Sequence, residues 1–382
     1  MKIILAGGGT GGHIYPAIAV ADTIKSRDKS AEILFIATKK GMEKTLIEKA
    51  GYKTAHIEMS GLQRSLSLKN IKTAICFFTS QIAAKKLLKA FQPDVVFATG
   101  NYLSYPLIHT AAKMGIPTAI HESNIAPGRA IRMLEKDADV IFINFPSTAD
   151  SFGDKSKVMC VGNPMRTEGL SLSKRQARAE LDIPQDCEYV LLSFGGSLGA
   201  RAINNSVIEL MEGFSSKHPE IFHIHSTGKG GYDAFMRSFR EKGLDACKNL
   251  RPAEYIYDMP KWEAAADAVI CRSGAMTVSE LALMGKACVF IPSPNVTENH
   301  QFKNAEGLKN SDAALLIEEK NLNFNSLSSA VHDLLFTPLG AKLSENIRAF
   351  AKPEARDLIY RELVRLSNRE LLSLVGKEEA NE

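Results

Sequence analysis

Short, nearly unbroken apolar runs alternate with segments whose apolar residues recur every three to four positions, almost from end to end of the chain. The runs predict strands at Lys2–Ala6, Glu32–Ala37, Val95–Thr99, Thr118–His121 and Val140–Asn144, and later at Tyr189–Phe194, Phe222–Ser226, Tyr255–Ile256, Ala268–Cys271 and Ala287–Ile291. Helical spacing fills most of the intervals, notably Ile14–Arg27, Leu68–Phe91, Leu103–Lys113, Ala200–Gly213 and Met276–Met284. Strands apolar at successive positions are buried on both faces, so this order predicts α/β domains: parallel sheets covered by helices on both sides.

Two strand–glycine-loop–helix units stand about half a chain apart, Ile3–Leu5 before Gly7–His13 and Leu191–Phe194 before Gly195–Arg201. With 382 residues the chain exceeds what one core usually supports, so each unit is expected to open its own domain. The turn Val161-Gly162-Asn163-Pro164 places the boundary, giving domains 1–162 and 163–344. A last helical stretch, about 345–372 and interrupted at Pro353, is expected to pack back on the first domain.

Composition narrows the class: 45% hydrophobic and 24% charged residues exclude a disordered or collagenous chain. The net charge of +4 is uneven, because residues 1–162 carry +8 and the remainder −4. The six cysteines show no C-x-x-C spacing and no cluster with His, against a zinc site or disulfide framework and in favour of a reducing compartment. The apolar start ends at Gly7 without the body of a signal peptide, and no apolar run approaches the ~18 residues of a spanning helix. The expectation is a soluble protein, or one that rests on a membrane without crossing it.

A glycine loop that opens a helix presents backbone N–H groups and the helix's positive end, about half an elementary charge, which suits phosphate. The first loop contains G-x-G-x-x-G (Gly7, Gly9, Gly12), so a dinucleotide site is one reading. Thr38-Lys39-Lys40 stands where such a site carries an acid for the ribose, which disfavours NAD and leaves an NADP-dependent oxidoreductase as a rival. His13, beside a helix whose first turn holds Pro16, should project over the carboxyl edge of the sheet, where it reads equally as a base or a packing residue. In the second half, loops at Gly195–Arg201, Arg272–Ala275 and Pro292–Gln301 offer N–H groups, the hydroxyls of Ser197 and Ser273 and the carboxylate of Glu280. That equipment suits a diphosphate, a ribose diol and a sugar. Asp137-Ala138-Asp139 precedes its strand instead of following it, and reads as a solvated turn.

Taken in order, Gly8–His13, Gly100–Pro106, His121–Asn124, Gly162–Arg166, Gly195–Arg201, Arg272–Ala275 with Glu280, and Gln301 with Asn304-Ala305 resemble the peptidoglycan-precursor N-acetylglucosaminyltransferases of the GT-B superfamily, over nearly the whole chain. The resemblance implies two Rossmann-like doubly wound domains facing a cleft. It implies inverting transfer of GlcNAc from UDP-GlcNAc to the C4 hydroxyl of the muramoyl sugar in undecaprenyl-diphosphate-linked muramoyl pentapeptide (lipid I), giving lipid II, with no metal or cofactor. Arg166, Ser197 and the turn ending at Ala275 would face the diphosphate, with Met276, Thr277, Val278 and Ser279 continuing the donor segment. Ile256 would offer backbone groups to uracil, Glu280 would take the ribose hydroxyls, and Gln301 with Asn124 would meet the sugar. Thr10, Gly11 and Gly12 would complete the site from the first domain. His13 is the first candidate base and Glu122 the second. The middle glycine loop departs from the family's Gly-Gly-Tyr-x-Ser-Gly-Pro, reading Gly100-Asn101-Tyr102-Leu103-Ser104-Tyr105-Pro106; Asn tolerates a left-handed backbone, while Tyr105 narrows the approach. Another UDP-sugar enzyme of this fold, such as a UDP-GlcNAc 2-epimerase, is the nearest rival.

A lipid acceptor implies an anionic membrane surface as partner, at the cytoplasmic face of the inner membrane, with cell-wall and division proteins as further candidates and no nucleic acid. From Met59 to Pro93 there is no Asp or Glu. There Leu68, Ile71, Ile75, Phe78 and Ile82 recur at helical spacing beside Lys69, Lys72, Lys85, Lys86 and Lys89. The stripe reads either as an interfacial strip, with Ile71, Lys72, Ile75 and Phe78 against the leaflet, or as the helix's core face.

Overall fold

A computed structural model describes residues 1–39, 41–59, 69–165 and 172–368, with the backbone alone for 69–75. The chain forms two compact units, Met1–Arg166 with Lys352–Glu382, and Thr167–Ala351. The crossings fall later than the expected 162/163 and 344/345. Asn163 and Met165, beyond the first expected boundary, are buried and belong to the first unit, and Ile347, beyond the second, is buried and belongs to the second.

In the first unit, β1 (Lys2–Ala6), β2 (Glu32–Ala37), β3 (Lys53–His56), β4 (Val95–Ala98), β5 (Thr118–Glu122), β6 (Val140–Ile143) and β7 (Val158–Cys160) form a parallel sheet in the order β3-β2-β1-β4-β5-β6-β7. Its helices are α1 (Gly11–Arg27), α2 (Met42–Lys49), α3 (Lys69–Phe91), α4 (Ser104–Lys113) and α5 (Arg129–Leu134). Two buried clusters cover the sheet: Ile3, Leu5, Phe35 and Phe97 join α1 on one face, while Ile4, Val96, Ile120 and Ile141 join α3, α4 and α5 on the other. The continuous apolar runs of β1, β4 and β6 reflect these two covered faces.

The second unit repeats the plan. Strands β8 (Tyr189–Phe194), β9 (Ile221–Ser226), β10 (Leu250–Ala253), β11 (Ala268–Cys271), β12 (Ala287–Phe290) and β13 (Leu315–Leu316) order as β10-β9-β8-β11-β12-β13, all parallel. The helices are α6 (Lys174–Glu180), α7 (Arg201–Gly213), α8 (Tyr232–Glu241), α9 (Met259–Ala265), α10 (Ala275–Met284), α11 (His300–Asn310), α12 (Phe324–Phe336) and α13 (Pro338–Ile347). The expected strand at Tyr255–Ile256 is absent; the edge strand lies earlier, at β10, where Pro252 is tolerated because an edge leaves one side of the ladder unpaired.

The expected single stretch 345–372 is divided. Its start, within α13, belongs to the second unit, whereas α14 (Ala355–Ser367) packs on α1 in the first. Ile359, Leu363 and Leu366 of α14 are 0–1% exposed in the first unit's core. Fully burying each is worth about 1.5–3 kcal/mol.

Candidate functional site

In both units the strand order reverses beside the first strand, between β1 and β4 and between β8 and β11. Open α/β sheets bind ligands outside the carboxyl ends of their strands at this switch point. Both glycine loops and the Thr99–Leu103 and Arg272–Ala275 turns leave the sheets there.

In the first unit, Thr10 is the N-cap of α1, with no side-chain cap bond, and its carbonyl accepts from the N–H groups of His13 and Ile14. Thr10 and Gly12 are exposed and Gly11 half-buried. The His13 imidazole donates from Nδ1 to the Thr99 carbonyl at 2.7 Å, and the Thr99 hydroxyl donates to the His13 carbonyl at 2.6 Å. Because a carbonyl can only accept, the proton of the neutral ring sits on Nδ1 and the basic lone pair on Nε2. Gly100 (φ +93°) lies against the ring: a Cβ there would stand 3.1 Å from it. Next to it Asn101 adopts φ +84°, the left-handed backbone expected of it. Tyr105 stacks between Phe77 and His109, at ring centroids of 5.0 and 5.1 Å, so its ring packs onto α3.

Glu122 is differently employed from a free base. Oε1 accepts from the backbone and side-chain N–H groups of Asn124, at 2.8 and 3.0 Å, and Oε2 accepts from Gly128 at 2.9 Å. Both oxygens shape the loop after β5, Oε1 holding Asn124 and Oε2 holding Gly128. The aspartates of Asp137-Ala138-Asp139 close the amino edge of the sheet: Asp139 accepts from the Thr118 N–H at 2.9 Å and Asp137 meets His109 Nδ1 at 2.8 Å.

Along α3, Ser80, Ala84 and Leu88 are buried, whereas Phe78 and Ile82 are 67% and 59% exposed. Lys85, Lys86 and Lys89 are exposed as well. The described members of the stripe therefore lie on the helix's outer face, and the core-face alternative fails for them. The side chains of Ile71, Lys72 and Ile75 lie outside the described residues, as does Arg166. Among the described residues no helix is long and apolar enough to cross a membrane.

In the second unit, the β8–α7 loop leaves Ser197 and Leu198 exposed. Gly199 (φ +76°) closes against the next loop, where a Cβ would meet the Thr227 carbonyl at 2.1 Å. Behind it runs a buried polar rail. Ser193 Oγ meets His223 Nε2 at 2.9 Å and His225 Nδ1 at 2.8 Å, Ser215 Oγ meets His223 Nδ1 at 2.9 Å, and His225 Nε2 meets Asn204 Oδ1 at 3.2 Å. Asn204 in turn donates to the Thr227 carbonyl at 2.9 Å. The Ser193 carbonyl also lies 3.1 Å from His225 Nδ1, so two acceptors, that carbonyl and Asn204 Oδ1, flank the His225 ring. Burial holds His225 down at about 3 and His223 well below the usual imidazole range.

Helix α10 starts at the N-cap Gly274 with no side-chain cap bond, leaving its first turn oriented toward the carboxyl edge. Ala275, Val278 and Ser279 are buried, and Met276, Thr277 and Glu280 half-buried. Two side chains expected at the diphosphate are engaged elsewhere. Arg272 donates to the Ile291 carbonyl at 2.9 Å and to Glu319 at 2.5 Å, and the Ser273 hydroxyl donates to the Gln301 carbonyl at 2.8 Å. What this turn can offer an anion is its backbone. The Gln301 side chain accepts from the Ser293 N–H at 2.8 Å. Ile256 is buried in the loop after β10. Burial pushes Glu280 up to about 7. Glu263, 2% exposed, is pushed well up by burial and then by the charge of Glu280.

Sequence reasoning missed two buried carboxyls, Glu43 in the first unit and Glu263 in the second. Glu43 carries the only available signal: it follows Gly41 just after β2, three to five residues beyond the Thr38-Lys39-Lys40 positions where an acid was sought.

The glycosyltransferase family 28 N-terminal domain matches residues 3–143, and the glycosyltransferase family 28 C-terminal domain matches residues 190–361. The chain is 39% identical over 361 residues to the UDP-N-acetylglucosamine–N-acetylmuramyl-(pentapeptide) pyrophosphoryl-undecaprenol N-acetylglucosamine transferase of Acetivibrio thermocellus, covering 94% of this chain and 96% of that one. A Bacillus cytotoxicus protein of the same name is 36% identical, covering 97% and 100%. The crystal structure of Acinetobacter baumannii MurG superposes with a TM-score of 0.78 at 27% identity, covering 95% of this chain and 99% of that one. A UDP-GlcNAc 2-epimerase from Neisseria meningitidis, bound to UDP-GlcNAc, shares the fold at a TM-score of 0.68 and 16% identity, covering 96% and 100%. With both halves matched and relatives similar along nearly their whole length, this chain belongs to glycosyltransferase family 28.

Proposed function

We propose that this protein transfers N-acetylglucosamine from UDP-N-acetylglucosamine to the C4 hydroxyl of undecaprenyl-diphosphate-linked N-acetylmuramoyl pentapeptide, with inversion at the anomeric carbon. The observation that carries this reading is the near-full-length similarity to relatives whose name specifies that transfer. The second unit takes the donor: the glycine loop before α7 and the start of α10 meet the diphosphate, and charge building on the departing UDP is met by N–H groups already in place. Arg166 and Ser197 assist at the diphosphate, Ile256 meets uracil, Glu280 the ribose, and Gln301 the sugar.

The first unit takes the acceptor. His13 Nε2, basic because Nδ1 is committed to Thr99, removes the proton of the attacking hydroxyl. Glu122 serves as anchor of the neighbouring loop. The outward strip of Phe78 and Ile82 with Lys85, Lys86 and Lys89 rests on the anionic leaflet that holds the lipid acceptor, making the enzyme peripheral at the cytoplasmic face. An NADP-dependent reaction is disfavoured, because the carboxylate of Glu43 faces the first glycine loop where a nucleotide phosphate would be needed.

The deciding assay supplies radiolabelled UDP-GlcNAc and a lipid I analogue, with EDTA present, and scores a β-1,4-linked disaccharide lipid. Transfer is expected. Release of UDP with 2-epimerised sugar and no disaccharide lipid would refute the reading in favour of an epimerase.

A further inference from the structure

The first glycine loop is closed by a charge of the protein's own. Glu43, the second residue of α2, is only 1% exposed. Its Oε1 accepts from the Thr38 hydroxyl at 2.6 Å and the Thr38 N–H at 3.1 Å, and its Oε2 accepts from the Gly9 N–H at a longer 3.4 Å. These hydrogen bonds, led by the Thr38 hydroxyl, outweigh burial and hold the carboxyl below its usual range, so it is ionised at neutral pH. The fit is close: a Cβ on Gly41 would stand 2.0 Å from Oε1, and one on Gly8 3.5 Å from the Glu43 carboxyl carbon. On the other side of the loop, a Cβ on Gly9 would meet the Asn101 amide at 2.5 Å. The loop is thus gripped between Glu43 and Asn101.

Three residues lie between Gly9 and His13, and the Thr10 carbonyl among them carries the first turn of α1. We propose that Glu43 is a positioning residue for the transferase reaction: its carboxylate fixes the Gly7–Thr10 loop between β2 and the Thr99–Leu103 turn, and so sets the aim of His13. The same carboxylate fills the place of an anion at Gly9, so an acceptor phosphate must find its partners elsewhere on the loop. This rests on the transferase reading, which gives His13 its work.

The test compares wild type with Glu43→Gln, Glu43→Ala, Gly41→Ala and the Glu43→Ala, Gly41→Ala pair. Gly41 has φ −78°, a backbone any residue adopts, so its new methyl acts only by displacing the carboxylate. Expected for Glu43→Gln and for Gly41→Ala is a fall in kcat of about tenfold or more, with KM for UDP-GlcNAc within about twofold of wild type. The pair should be no slower than Glu43→Ala alone, since without the carboxylate the methyl has nothing to displace. Amide hydrogen exchange of the Gly7–His13 peptide should quicken in Glu43→Gln, a readout that needs no activity. A wild-type kcat in Glu43→Gln, unchanged exchange in that peptide, additive losses in the pair, or a kcat loss matched by lost folded protein overturns the proposal. Wild type that makes no disaccharide lipid overturns the transferase reading, and the exchange measurement then still decides whether Glu43 holds the loop.

Discussion

His225 should make the second unit sensitive to acid in a way that can be isolated. The ring is fully buried, with Ser193 at Nδ1 and Asn204 Oδ1 at Nε2. Burial lowers it from 6.5 to about 3 in the folded state. Because the folded value lies below the unfolded one, the unfolded chain binds more protons below pH 6.5. The stability contribution is therefore complete above that pH and is lost progressively as the pH falls toward 3. Each pH unit in that window costs about 1.4 kcal/mol, so pH 5 costs about 2 kcal/mol from this residue alone. The figure does not depend on the folded value as long as that stays well below 5. Other groups titrate in the same range, and Glu263 and Glu280, pushed up by burial, act with the opposite sign. The comparison that removes them is between wild type and His225→Gln. Urea unfolding followed by the fluorescence of Trp262, the chain's single tryptophan, reports on the second unit. His225→Gln should be less stable at pH 7.5, and the gap to wild type should narrow by about 2 kcal/mol at pH 5. A gap that stays constant between these pH values would show that His225 is protonated inside the fold, and would sink the reasoning.

His13→Ala should lower kcat about 10²- to 10⁴-fold while UDP-GlcNAc affinity by calorimetry stays within twofold; turnover near that of wild type would remove His13 from the chemistry. Phe78→Glu with Ile82→Glu should reduce sedimentation with anionic vesicles at least tenfold, without changing the melting temperature, since both side chains already face water; undiminished binding would place the membrane contact elsewhere. Gly199→Ala should weaken UDP-GlcNAc binding and destabilise the second unit by more than about 1 kcal/mol, because it forces a Cβ onto the Thr227 carbonyl at a positive φ. Binding and stability equal to wild type would mean the loop has room that the geometry denies it.

Much of this architecture was legible because buried parallel strands spell themselves as apolar runs: β1, β2 and β8 have the ends the sequence predicts, and the two glycine loops mark both switch points. The edges were not. Strand β3 reads Lys-Thr-Ala-His and β10 Leu-Arg-Pro-Ala, polar and half-paired segments that carry no buried pattern, and the nearby Tyr255-Ile256 was the more apolar pair. Site residues were legible as positions and less so as contacts. Arg272 and Ser273 sit in the expected turn, yet nothing in their spacing announces Glu319 or the Gln301 carbonyl as partners, which lie 47 and 28 residues away along the chain. Glu43 was passed over for the same reason: its partner Gly9 is fixed by the sheet order, which brings the ends of β1 and β2 together, and not by any local motif.

The return of α14 to the first unit orders events during synthesis. Ile359, Leu363 and Leu366 complete a core whose other buried members lie between Ile3 and Val161, while the residues of the second unit form an uninterrupted stretch between. As the chain leaves the ribosome, the second unit has all its parts before the first does. The first unit waits with the α1 surface that α14 will cover still open to water. A released chain truncated before residue 355 should therefore hold a finished second unit beside a first unit prone to chaperone capture, though it was the first to be made.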